Sequence, residues 1–74
     1  MLKTLRKQRG LTQVQLGKLA GISQSYISDL EKEYFVSSPT IRQVISLSDA
    51  LNVDKVKLFL YFAEKEIEHN KNKW

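Results

Sequence analysis

Apolar residues recur along this chain at spacings of three and four, the period of one helix face, and strict alternation is rare. With a single proline and three glycines, that pattern predicts five helices and no sheet. The first runs from about Leu2 to Arg9, with Leu2 and Leu5 inward, and Gly10 ends it in the left-handed position that favours glycine. The second opens at Thr12, whose hydroxyl can cap the amide three residues on while Gln15 reaches back. It is expected to bury Leu16 and Leu19 and to stop near Ala20-Gly21. Ser23 caps a third helix reaching about Lys32, with Ile27 and Leu30 inward. After a loop from Glu33 to Pro39, Thr40-Ile41-Arg42-Gln43 repeats the Thr-x-x-Gln box. It opens a fourth helix through about Leu51, with Ile41, Val44, Ile45 and Leu47 on its apolar face. Asp54 caps a fifth helix reaching Glu68, and residues 69–74 read as a flexible polar tail. The expected fold class is all-α: one compact five-helix domain over residues 1–68.

Length and charge narrow the function. At 74 residues the chain makes one small domain with a thin core. Its longest apolar run, Leu58 to Ala63, falls well short of the ~20 residues of a membrane span. The stretch Met1 to Lys7 mixes charge with leucine, unlike a signal peptide. Cysteine is absent and His69 is the sole histidine, which excludes disulfides, thiolate metal sites and a Ser-His pair of ordinary design. Net charge is +4, and residues 1–32 hold all of the excess, six bases against two acids. A localised positive field favours a polyanion such as nucleic acid, although a solvated basic face would look the same.

The segment from about residue 12 to residue 32 separates those readings. A helix-turn-helix needs two short helices at a steep angle joined by a tight turn. Leu16, Ala20, Ile22, Ile27 and Leu30 supply apolar residues to lock the pair, and Gly17 keeps the surface small at their crossing. Gly21 permits the positive φ of the turn, and Ser23 caps the second helix of the pair. Each feature is common alone; all of them at these offsets are not.

Leu11-Thr12-Gln13, Leu16-Gly17-x-Leu19-Ala20-Gly21-Ile22-Ser23 and Tyr26-Ile27-Ser28-x-Leu30-Glu31 resemble the lambda-repressor-like helix-turn-helix family of phage repressors and Cro proteins. Pro39-Thr40-Ile41 and Ala50-Leu51-Asn52-Val53 are similar to that family's fourth helix and its exit, so the likeness covers about residues 2 to 60. The resemblance implies a five-helix DNA-binding domain, usually a dimer on a palindromic operator, acting as a transcriptional regulator. It also implies that Gln13 contacts a phosphate and braces Gln24, that Arg42 approaches the DNA backbone, and that Arg6 and Glu31 form a partly buried structural ion pair.

On a helix opening at Ser23, the positions Gln24, Ser25, Ser28 and Asp29 share the face opposite Ile27 and Leu30. In a major groove Gln pairs bidentately with adenine, and Ser serves as donor or acceptor. Asp29 either accepts from a cytosine amino group or repels wrong sequences. Thr12, Gln13, Tyr26, Lys32, Ser37, Ser38, Thr40 and Arg42 are the candidate phosphate contacts, with Gln13 in a first turn whose free amides favour an anion.

Two stretches depart from the family. The loop Lys32-Glu33-Tyr34-Phe35-Val36-Ser37-Ser38 lacks glycine and is unusually apolar; Tyr34 and Phe35 either fold back on the core or meet a partner subunit. The fifth helix carries one apolar stripe of Val56, Phe59, Leu60, Ala63 and Ile67 and a second of Leu58, Tyr61 and Phe62. One stripe suffices to close a small domain, so the surplus suggests a homodimer, with Leu58, Tyr61 and Phe62 as its expected interface. No effector domain is expected after residue 74, and no small-molecule ligand, cofactor or metal. The reading is a cytoplasmic, sequence-specific binder of a double-stranded DNA operator, a repressor or controller. The alternatives are an antitoxin that also represses its operon, clasping a small toxin protein, a protein-interaction module and, last, an enzyme.

Overall fold

The computed structural model describes residues 1–34 and 36–71, so Phe35 and the last three positions of the expected tail lie outside the described residues. Among the described residues there are five α-helices and no strand: α1 (Leu2–Gln8), α2 (Gln13–Ala20), α3 (Gln24–Glu31), α4 (Ile41–Leu51) and α5 (Lys55–Asn70). The all-α expectation holds. The fifth helix continues two residues past Glu68, taking in part of the expected tail.

Local chemistry sets where each helix begins. Thr12 Oγ1 accepts from the Gln15 amide at 3.1 Å while Gln15 Oε1 accepts from the Thr12 amide at 2.8 Å. Thr40 and Gln43 reproduce that reciprocal box at the start of α4 with the same two distances. Ser23 Oγ accepts from the Tyr26 amide, and Asp54 Oδ1 from the Val56 amide. Each cap satisfies an amide that a helix start leaves unpaired, at about 1 kcal/mol apiece.

The turn between α2 and α3 is tight. Gly21 closes α2 at φ 69°, and the Ile22 amide then donates back to the Gly17 carbonyl at 2.9 Å. A Cβ on Gly17 would lie 2.5 Å from the Ile22 carbonyl oxygen, so the chain folds directly over that glycine.

The helices share one core of Leu2, Leu16, Ala20, Ile27, Leu30, Val44, Leu47, Leu51, Leu58 and Phe62. In it α2 packs on α3 and α4, α4 on α5, and α1 on α3. Each fully buried leucine contributes on the order of 1.5–3 kcal/mol. Three expectations about facing are corrected here. Leu19, expected inward, is 62% exposed, because Leu16 and Ala20 take the buried stripe of α2. Ile41 and Ile45 are exposed too, since Val44, Leu47, Ser48 and Leu51 fill the inner face of α4.

The third correction concerns α5. Leu58 and Phe62 are buried and Tyr61 packs against the core, so these residues close the domain and are not available as a dimer interface. The reason is register. Asn52 ends α4 in the left-handed conformation at φ 53°, and Asp54 caps two residues later, which aims Leu58 and Phe62 at Val44, Leu47 and Leu51. The other stripe then faces solvent.

Candidate nucleic-acid interface

Helix α3 presents its polar side outward and is pinned along its inner side. Ile27 and Leu30 are buried, while Gln24 and Ser25 are exposed and Ser28 and Asp29 half-buried. The Gln24 and Ser25 side chains form no hydrogen bond within the described residues, so their donors and acceptors face outward unspent. Ser28 edges a polar concavity of about 340 Å³ that Lys3, Gln13, Glu31, Lys32 and Glu33 also line.

The far end of α3 is fixed by a buried charge cluster. Arg6 Nε donates to Glu31 Oε2 at 2.5 Å, and the same guanidinium donates a second bond, 3.1 Å long, to Oε1. Its remaining arm donates to the Leu11 carbonyl at 2.8 Å. Gln13 Nε2 adds a donor to Glu31 Oε1 at 3.1 Å. One carboxylate thus gathers α1, the start of α2 and the end of α3. The two charged side chains are only 9% and 4% exposed, so each depends on the other for its solvation. Burial by itself would push the Glu31 carboxyl up, but the hydrogen bonds from Arg6 and Gln13 and the attraction of Arg6 and Lys3 hold it below its ordinary value. The hydrogen bond to Glu31, opposed by burial, raises the Arg6 guanidinium.

A second anchor comes from α5. Lys65 Nζ donates to the Lys32 carbonyl at 2.7 Å and approaches the Leu30 carbonyl at 3.5 Å. A cation there meets the negative end of the α3 dipole and the carbonyls that a helix end leaves unpaired. Burial lowers the pKa of this ammonium. The sequence reading missed Lys65, although a lysine three residues after Phe62 and seven after Leu58 shares their inward face. Arg9, which the sequence offers only as one of several general phosphate candidates, donates to the Asn52 carbonyl at 3.1 Å and ties α1 to the exit of α4.

The remaining candidates lie around α3. Thr12 and Thr40 spend one oxygen lone pair on capping and keep a hydroxyl proton to donate. Ser37 Oγ donates to the Tyr26 hydroxyl oxygen at 3.3 Å, so the loop before α4 runs past the first turns of α3. Ser38 is exposed, and Arg42 stands exposed in the first turn of α4 with no ion pair among the described residues. Two residues are engaged otherwise than the sequence suggests. Gln13 braces Glu31 and makes no hydrogen bond to Gln24. Asp29 pairs with Lys32 at 3.1 Å, and Lys32 lies over the Tyr34 ring, 5.7 Å from its centre. Tyr34 itself is exposed.

Two helices at a tight turn, the second offering a free polar face, form the arrangement that fits a major groove. Residues 2–58 match the family model described as helix-turn-helix. The chain belongs to that family. Among curated proteins, this helix-turn-helix domain is 39% identical over 54 residues to an HTH-type transcriptional regulator of Sinorhizobium fredii, covering 73% of this chain and 68% of that protein. It is 36% identical over 52 residues to the immunity repressor protein of Bacillus phage phi105, covering 70% of this chain and 35% of the repressor. The match therefore spans about a third of the phage protein and about two thirds of the other. The likeness is to the lambda-repressor type of DNA-binding domain. Among the described residues, no helix is long and apolar enough to cross a membrane, and no group of His, Asp or Glu could hold a metal.

Proposed function

We propose that the chain is a transcriptional repressor or controller that acts in the cytoplasm and reads a palindromic DNA operator as a homodimer. The observation that carries this reading is the outer face of α3, where Gln24 and Ser25 project without partners from a helix held at its far end by Glu31 and Lys65. A reading head must be rigid before it meets DNA, because a loose one loses ordering entropy on binding. Gln24, Ser25 and Ser28 would meet base edges. Asp29 would exchange its bond with Lys32 for a cytosine amino group or stand against wrong bases.

Around that face the donors suit phosphates. The free first-turn amides of α2 and α4, with Thr12, Gln13, Thr40 and Arg42, form anion sites at two helix N-termini. Tyr26, Ser37 and Ser38 flank them, and Lys32 can turn from Asp29 to a phosphate. The dimer follows from scale. One recognition helix reads only a few base pairs, and half-sites recur about 34 Å apart on one side of a duplex. A domain with extents of 37 × 23 × 20 Å can place two copies at that spacing.

Binding to duplex DNA across a salt series tests the reading. Log affinity should fall linearly with log salt, and Arg42→Ala should weaken all sequences alike while making the slope shallower by about 0.9. Affinity independent of salt would count against it.

A further inference from the structure

From the arrangement at the end of α3, we infer that Lys32 determines specificity without touching a base. Asp29 holds it back from the DNA backbone and releases it to a phosphate only where the facing base offers Asp29 a donor in exchange. The inference rests on the DNA reading above and deepens it by joining one base contact to one phosphate contact. Asp29 Oδ1 accepts from Lys32 Nζ at 3.1 Å, and that ammonium lies 5.7 Å from the centre of the Tyr34 ring. The lysine and aspartate side chains are 40% and 37% exposed. A solvent-exposed pair of this kind is weak, so a modest competitor opens it.

The backbone beneath the pair does not move with it. The Lys32 amide donates to the Asp29 carbonyl at 3.3 Å, and the Lys32 carbonyl accepts from Lys65 Nζ at 2.7 Å. What is left to swing is the Lys32 side chain, a point charge on a flexible four-carbon stem. Asp29 is short and stands in a row between Ser25, four residues before it, and Lys32, three after. Ser25 marks the base-facing part of that row. Bonded to Lys32, the carboxylate points toward the end of the helix; turned to the bases beside Ser25, it lets Lys32 go. One state excludes the other.

Charge makes the exchange selective. In a groove walled by phosphates a bare carboxylate is repelled, and it settles on a donor such as the cytosine amino group. The acceptor edges of guanine and thymine leave it on Lys32. The pair then shows the backbone no net charge, and the phosphate contact is lost together with the base contact. Released, the ammonium has a place to go. With Lys3, Gln13 and Ser28, Lys32 lines the polar concavity of about 340 Å³ beside the start of α2, where free amides favour a phosphate. Of the acids on that concavity, Glu31 is held by Arg6, and Glu33 is the remaining competitor for the ammonium.

The test begins with duplexes selected from random DNA by the wild type and by Asp29→Ala. The base pair at which preference is lost is the one Asp29 reads. Affinity is then measured across a salt series for the selected duplex and for one changed at that base pair in both half-sites. For the wild type, the slope of log affinity against log salt should be steeper on the selected duplex by about 0.9 per half-site, one phosphate each. Lys32→Met should give one shallow slope on both duplexes. Asp29→Ala, which frees the ammonium on any sequence, should give one steep slope on both. Melting of the variants guards against unfolding as the cause, since neither side chain is buried. Equal wild-type slopes, or a difference that survives Lys32→Met, overturn the exchange while leaving DNA reading intact, as do identical selections by wild type and Asp29→Ala. A wild type that enriches no sequence sinks the reading itself and the exchange with it.

Discussion

Helices α3 and α5 each bury one face and offer the other, but they do so by different means. The outward side of α3 is short and polar, and the helix is held by directional bonds: Glu31 to Arg6 and Gln13, and Lys65 to the carbonyl of Lys32. The outward side of α5 is apolar, and its inner side is held mainly by packing at Leu58 and Phe62, with the bond from Lys65 as its directional tie to α3. Directional bonds fix an angle, which base reading requires. Non-directional burial fixes only that a surface be covered, which a partner can complete. The molecule thus sets a polar face on a directionally anchored helix apart from an apolar face on a packed one.

Breaking the charge cluster should have the largest effect. Arg6→Ala strands the Glu31 carboxylate in a site where it is 4% exposed, and stability should fall by about 3–5 kcal/mol in chemical denaturation. For a domain of this size that approaches the whole margin. Next comes the contrast within α5. Leu58→Ala should cost about 2–5 kcal/mol, whereas Leu60→Ala, on the solvent side of the same helix, should change the stability of the dilute monomer by about 0.5 kcal/mol or less. Equal costs would contradict the contrast between the stripes, and a larger cost for Leu60→Ala would mean that they are assigned the wrong way round.

Acid should act through the α3 anchor. The Glu31 carboxyl titrates below its unfolded value, so its contribution is fully present above about pH 4.3 and is lost as pH falls through the lower, folded value. Denaturation followed from pH 6 down to pH 2 should therefore show a loss that Glu31→Gln reduces. A variant that keeps the full acid loss places its origin elsewhere. A small effect belongs to Lys65→Met, which keeps the stem and removes the ammonium. It should cost about 1 kcal/mol and speed hydrogen exchange in the last turn of α3 more than in α4.

Much of this is legible in the sequence, and the gaps have a common cause. Helix starts are readable because a cap is local: Thr12 with Gln15 and Thr40 with Gln43 need only their own four residues. Gly21 is readable for the same reason, since positive φ is a property of one position. Facing is harder. Leu19, Ile41 and Ile45 are apolar residues at helical spacing that end outside because a thin core has room for one stripe per helix. Both stripes of α5 scan alike, so spacing points to Leu58, Tyr61 and Phe62 as an interface, and only the Asn52–Asp54 exit turns them inward. In the candidate site, the partners of Gln13 and Lys65 lie on other segments and meet them only in space, whereas Asp29 with Lys32 is an i,i+3 pair that spacing alone can report.

Selecting bound duplexes from random DNA with the wild type and with Gln24→Ala bears most directly on the role of α3. The wild type should enrich a two-fold symmetric site, and the variant should lose preference at one position per half-site, by about 1–3 kcal/mol, while keeping the rest. No enriched sequence, or an identical one from both proteins, would contradict the claim that this face reads bases.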